Sequence, residues 1–198
     1  NWMNITGGGV IAYAQTNGVL FDDRGAASPM VNLTQPTVPY KLTVDSSADY
    51  VLTSYGLNGS LTGQGYLTKL NSGRLTIDVT NTMSGPTTIS GGTLQIGNYD
   101  SYGTLGTGPV TNNATLSFNR ADTALVVPNA IHGSGTVSYD GYGSVTVLGA
   151  SDYSGDTLLN AGVLNLQSSA GLGSTSSGTT VASGGQLYIT ANVDVGEE

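Results

Sequence analysis

Met83-Ser84-Gly85-Pro86-Thr87-Thr88-Ile89-Ser90-Gly91-Gly92-Thr93-Leu94-Gln95-Ile96 and Tyr153-Ser154-Gly155-Asp156-Thr157-Leu158-Leu159-Asn160-Ala161-Gly162-Val163-Leu164-Asn165-Leu166 are two copies of one pattern, offset by 70 residues (Leu94 to Leu164). Upstream of both cores, Gly63, Gly65, Gly73 and Thr76 meet Gly133, Gly135, Gly143 and Thr146. Apolar class is kept between them, with Leu67 meeting Val137, Leu75 meeting Val145 and Ile77 meeting Val147. Downstream the pattern continues one residue out of step, as Val110 with Val181, Leu116 with Leu187 and Phe118 with Ile189. Chance does not keep glycine positions and apolar alternation together over such a span.

Each copy is a string of very short strands. In Gly73-Arg74-Leu75-Thr76-Ile77-Asp78-Val79, Thr115-Leu116-Ser117-Phe118 and Gln186-Leu187-Tyr188-Ile189, apolar residues alternate with polar ones. One face of such a strand is buried and the other is wet. Ser90-Gly91-Gly92, Asn112-Asn113-Ala114 and Asn160-Ala161-Gly162 separate the strands. Gly and Asn tolerate the positive φ that sharp corners demand. A β-sandwich has no reason to repeat at this interval, and a propeller blade runs to roughly 40–50 residues. In a solenoid, coils of roughly 20–25 residues stack, and the repeat is then about three coils. The sequence predicts an all-β, right-handed parallel β-helix (β-solenoid) in a single domain. Residues 1–56 read as an N-terminal irregular, capping region with the first coils, and residues 57–198 as the coils that carry the repeat.

Composition supports the all-β reading and removes several functions. Charged residues are 9% of the chain, well below the roughly 25% of an ordinary domain, while 38% hydrophobic residues in regular alternation argue against disorder. The net charge is −8 with five Lys and Arg, so no basic patch exists to displace counterions from nucleic acid or to hold an anionic membrane. No apolar run approaches the ~18 residues of a spanning helix. With no cysteine there is neither disulfide nor thiolate chemistry. The start at Asn1 is expected to reflect a processed or excised piece.

The two cores resemble the autotransporter-associated β-strand repeat, which reads Tyr-Ser-Gly-x-Thr-x-Ile-x-x-Gly-x-Leu; the first copy has Met83 where the second has Tyr153. Asn1-Trp2, Val19-Leu20-Phe21-Asp22-Asp23 and Leu42-Thr43-Val44-Asp45-Ser46-Ser47 are similar to stretches of long bacterial surface proteins with this repeat. The resemblance implies a passenger-type β-helix, secreted or at the cell surface, serving display, adhesion or stalk and filament formation. It transfers no catalytic residue. Nothing resembles an outer-membrane barrel, so the chain is expected to be a fragment or to leave the cell by another route.

Some β-helices cut polysaccharides, which calls for clustered carboxylates. Here they are scattered. Asp22 and Asp23 point to opposite sides of a strand and suit a corner, and Asp152 and Asp156 are replaced by Thr82 and Pro86 in the first copy, as solvated loop residues would be. His132 is the single histidine, read as a loop residue. Gly7-Gly8-Gly9 and Ser183-Gly184-Gly185 lack the context of a phosphate loop and read as corners. The chain is therefore read as non-catalytic, with no cofactor and no metal.

One feature stands out as a surface for a ligand. Tyr99-Asp100-Ser101-Tyr102-Gly103 is echoed by Tyr139-Asp140-Gly141-Tyr142-Gly143, an interval of about two coils. Tyr99, Asp100, Tyr102, Tyr139, Asp140 and Tyr142 form a candidate patch for a glycan or protein ligand, because aromatic rings beside acceptors suit such contacts. The plainer alternative is that the tyrosines cover hydrophobic corners. A solenoid also has open ends. Trp2 and the stretch from Asp22 to Pro39 are expected to shield the first coil, whereas the acidic end at Asp194, Glu197 and Glu198 is the weaker cover, predicting end-to-end self-association that acid promotes.

Overall fold

A sharp corner every few residues leaves room only for strands of two to about eleven residues, and stacking them is the one way to pair their backbone groups. The computed structural model describes residues 2–3, 10–11, 15–56, 58–176, 178–190 and 192–195 and shows a right-handed parallel β-helix. Among the described residues every strand pair is parallel except Trp2–Met3 with Val10–Ile11.

The helix has three faces. The first stacks Gly18–Asp22, Lys41–Asp45, Tyr66–Leu70, Thr87–Ile89, Val110–Asn112 and Ile131–His132. The second stacks Met30–Asn32, Tyr50–Thr53, Arg74–Asp78, Thr93–Asp100, Thr115–Arg120 and Thr136–Tyr139. The third begins with Pro36–Thr37, Ser60–Leu61 and Thr80–Asn81. Thr104 continues it, its hydroxyl accepting from Asn81 N and donating to Asn81 O, and Leu125–Val127 and Ser144–Val147 follow. The long strand Thr157–Leu166 turns the corner, pairing with Thr136–Tyr139 at its start and with Ser144–Val147 at its end. Thr179–Ile189 lies alongside it in the last coil.

Inward side chains form continuous rows. Tyr50, Leu75, Leu94, Leu116 and Val137 are in register, as are Leu52, Ile77, Ile96, Phe118, Tyr139 and Leu159, and all are buried. Burying one such side chain contributes about 1.5–3 kcal/mol. The Asp22–Pro39 stretch, expected as a shield, contains a short 3-10 turn at Asp23–Gly25 and the strands Met30–Asn32 and Pro36–Thr37, so it is itself part of the first coil. The side chain of Trp2 lies outside the described residues.

The repeat does not map onto whole coils. Thr87 stacks with Val110 and Ile131 on the first face, yet its counterpart Thr157 stacks on Val137, in the row of Leu94. Leu94 lies on the second face and its counterpart Leu164 pairs with Val145 on the third. The second copy is therefore displaced by three coils and one further face. Its corner geometry is kept: Gly92 and Gly162 have φ of +62° and +69°, and a Cβ on either would sit 2.3 or 2.4 Å from a carbonyl of the coil below.

Outward positions are less wet than alternation suggests. Thr76 points away from the core but is only 4% exposed, between Val51 and Gln95 of the adjacent coils. Strands about 4.8 Å apart let like side chains cover one another.

Candidate functional site

The outer side of the second face carries a polar groove of about 440 Å³, lined by Arg74, Gln95, Asn98, Tyr99, Asn119, Asp140, Asn160 and Ala161. These residues come from five successive coils, so the groove runs along the helix axis. Its floor is a ladder. Phe118, Tyr139 and Leu159 are in register, which places Asn119, Asp140 and Asn160 one above another, and Asn98, in the bulged strand of the coil below, lines the same groove. Asp140 is held fast: Ser117 and Ser138 hydroxyls donate to its Oδ2 at 2.6 and 2.8 Å, and Asn160 Nδ2 donates to its Oδ1 at 2.7 Å. Asn119 is 3% exposed, and its Oδ1 has no partner in the protein. Gln95 is turned aside to Gly97 O at 2.9 Å.

Tyr99 forms one lip, with Tyr142 beside it. Strands Thr93–Asp100 and Thr115–Arg120 lose register between Ile96 and Asp100, and in this bulge Tyr99 takes a φ of +61°. Its ring is exposed and lies 6.2 Å, centroid to centroid, from the exposed ring of Tyr142. Tyr102 is also exposed, and its N–H donates to Asp100 Oδ1 at 2.9 Å. Tyr139 belongs elsewhere. It is 3% exposed and stacks on Phe118 in the core, because it occupies an inward position of its strand; burial pushes its phenol well above the usual range. Of the two loops, Tyr99 and Tyr142 lie side by side at the surface, and Tyr139 lies beneath it.

Arg74, Asn98, Asn119 and Asn160 were not singled out in the sequence. Asn98, Asn119, Asp140 and Asn160 recur at the coil length, a signal readable only once that length is known.

Asp100 joins a second cluster, where the second face turns into the third. Asp78 bonds to Asp100, and the Thr53 hydroxyl donates to Asp78 Oδ2 at 3.4 Å. Desolvation, then the neighbouring charge and hydrogen bond of Asp100, push the Asp78 carboxyl up to about 6. Arg120 donates to Gly103 O at 2.5 Å and through Nε and Nη2 to Asp122 at 2.8 Å, which holds Asp122 below the ordinary carboxylate value.

The other acids are dispersed. Asp22 accepts from Arg24 N and pairs with its guanidinium, while Asp23 accepts from Ser46 Oγ, Ser47 N and Ser47 Oγ. His132 sits at a strand end, not in a loop, with Nδ1 2.6 Å from Asp152 Oδ1. Among the described residues no three His, Asp or Glu side chains are grouped as for a metal ion, and no helix is long and apolar enough to cross a membrane.

Residues 67–96 and 139–166 each match the passenger-associated-transport-repeat model. The chain is a β-helix that carries passenger-like repeats. No curated protein and no solved structure matches it.

Proposed function

We propose that this chain is a non-catalytic stalk segment of a bacterial protein exposed at or beyond the cell surface, where it supplies length, rigidity and a surface for display or adhesion. The observation that carries this reading is the unbroken inward row from Leu52 to Leu159 along the second face, which makes the molecule one continuous rod. In a solenoid each coil is supported by the ones above and below, so such a rod transmits stiffness along its axis. The passenger-associated repeats at 67–96 and 139–166 support an extracellular setting. The test is to insert the segment between an outer-membrane anchor and an epitope. The epitope should then bind antibody on intact cells more strongly than with a flexible linker of equal residue count. Equal or weaker labelling would count against a rigid stalk.

A second reading, filament growth, is favoured by the last coil. Thr179–Ile189 pairs on one side with Thr157–Leu166, and among the described residues no strand pairs its other side. Val181, Tyr188 and Ile189 are about half exposed there. A further coil of a longer chain, or a second copy stacking head to tail, would cover both the backbone edge and these side chains.

A further inference from the structure

We infer that the axial groove on the second face is a binding site for a neutral oligosaccharide, laid along the helix axis over the Asn119–Asp140–Asn160 ladder. The inference goes beyond the stalk reading and does not depend on it.

The chemistry of the groove sets the ligand class. Its floor is made of amides and a carboxylate, whereas pockets for ordinary small molecules are mostly apolar. A lipid or an apolar peptide would cover these groups without bonding them, which is costly. A hydroxyl-rich chain bonds them, since each sugar hydroxyl both donates and accepts. Asn119, nearly fully buried with an unpartnered Oδ1, keeps bonding capacity that the protein leaves unused. Asp140, fixed by Ser117, Ser138 and Asn160, is an acceptor that loses little freedom when a ligand arrives.

Spacing and charge narrow it further. Rungs repeat at about 4.8 Å, close to the advance per residue of an extended pyranose chain, so consecutive sugars meet consecutive rungs. An extended peptide pairs through its backbone with a sheet edge, and this ladder stands on a sheet face, whose backbone is already paired. Tyr99 at one lip, with Tyr142 beside it, offers exposed aromatic surface to the apolar side of a sugar ring. Arg74 is the groove's single cation, set against Asp140 within it and a net charge of −8 on the whole chain. That balance disfavours a polyanion and leaves a neutral saccharide.

The experiment uses the whole chain against an array of neutral oligosaccharides built from glucose, galactose, mannose and N-acetylglucosamine, with oligogalacturonates as charged controls. Hits are then titrated by NMR. A neutral tetrasaccharide should bind, and more tightly than its disaccharide because it spans more rungs. The double variant Tyr99→Gly, Tyr142→Ala should weaken it about tenfold or more. Glycine at position 99 accepts the positive φ, so folding is preserved, as an unchanged melting curve will verify. Asn160→Ala should also weaken binding. Absence of any neutral hit, equal affinity in the double variant, or preference for oligogalacturonate would each overturn the assignment.

Discussion

Tyr139 lies nearly flat on Phe118 of the preceding coil, with ring centroids 5.3 Å apart and planes inclined by 15°. Both rings are in the inward row Leu52–Ile77–Ile96–Phe118–Tyr139–Leu159, so each fills the height of its coil. Truncating Tyr139 to Ala should cost about 3–5 kcal/mol, the usual range for losing a buried aromatic ring. Tyr142→Ala, at 77% exposure, should stay within about 0.5 kcal/mol. Urea denaturation of the two variants checks the contrast.

Charge placed on the two sides of a strand should be felt unequally. Leu94→Asp and Leu164→Asp set an unpaired carboxylate among fully buried side chains and should each cost upward of about 3 kcal/mol. Thr146→Asp, on a half-buried outward position, should cost about 1 kcal/mol or less. Thr76→Asp should fall between them, because Val51 and Gln95 cover that site. Thermal melts of the four variants give the ranking.

Stability should pass through a maximum in mildly acid solution. Asp78 binds its proton more tightly folded, at about 6, than at the ordinary value of 3.8, so acidification through 6 stabilises the fold and the gain is complete below 3.8. The gain is on the order of 1 kcal/mol after allowance for solvent screening. Asp22, Asp23 and Asp122 are shifted the other way, chiefly by hydrogen bonds from Arg24, Ser46 and Arg120 respectively, and their contribution is lost as pH falls through their lowered values. On acidification the melting temperature should therefore first rise and then fall, and Asp78→Asn should abolish the rise.

Head-to-tail stacking predicts that sedimentation velocity finds larger species as concentration increases. Val181→Lys with Ile189→Lys places two cations on the open coil and should return the chain to monomer, with the fold intact by circular dichroism. A wild-type chain that stays monomeric throughout would show that the edge does not recruit a second copy.

Strand alternation and corner glycines made the coils legible in the sequence, because both are local consequences of backbone sterics. What resisted reading depends on neighbours one coil away. Lys69 stands in the inward row between Val44 and Ile89, where alternation calls for an apolar residue. It is fully buried because its ammonium donates to Leu70 O, Asn71 O and Gly91 O at 2.5, 2.9 and 3.2 Å, satisfying corner carbonyls of two coils. Asn129 does similar work for Gly106 O and Gly108 O. The groove escaped for the same reason. Its Tyr99 lip, with Tyr142 beside it, was visible as an echo in the chain, but the ladder beneath it requires the coil length, and the bulge before Asp100 shifts the register at Asn98.

A unit that advances three coils and one face has a consequence for any chain that repeats it. Thr157 sits above Leu94, not above Thr87, so a third such unit would turn onto the remaining face and a fourth would return to the first bearing. Loops that each unit carries at the same position in its sequence would then be dealt around the shaft in turn, like treads on a winding stair. A long array of this kind meets its surroundings from every side, and two equivalent loops facing the same way are separated by three full units. Contacts along one side are therefore sparse, while the circumference as a whole is evenly covered.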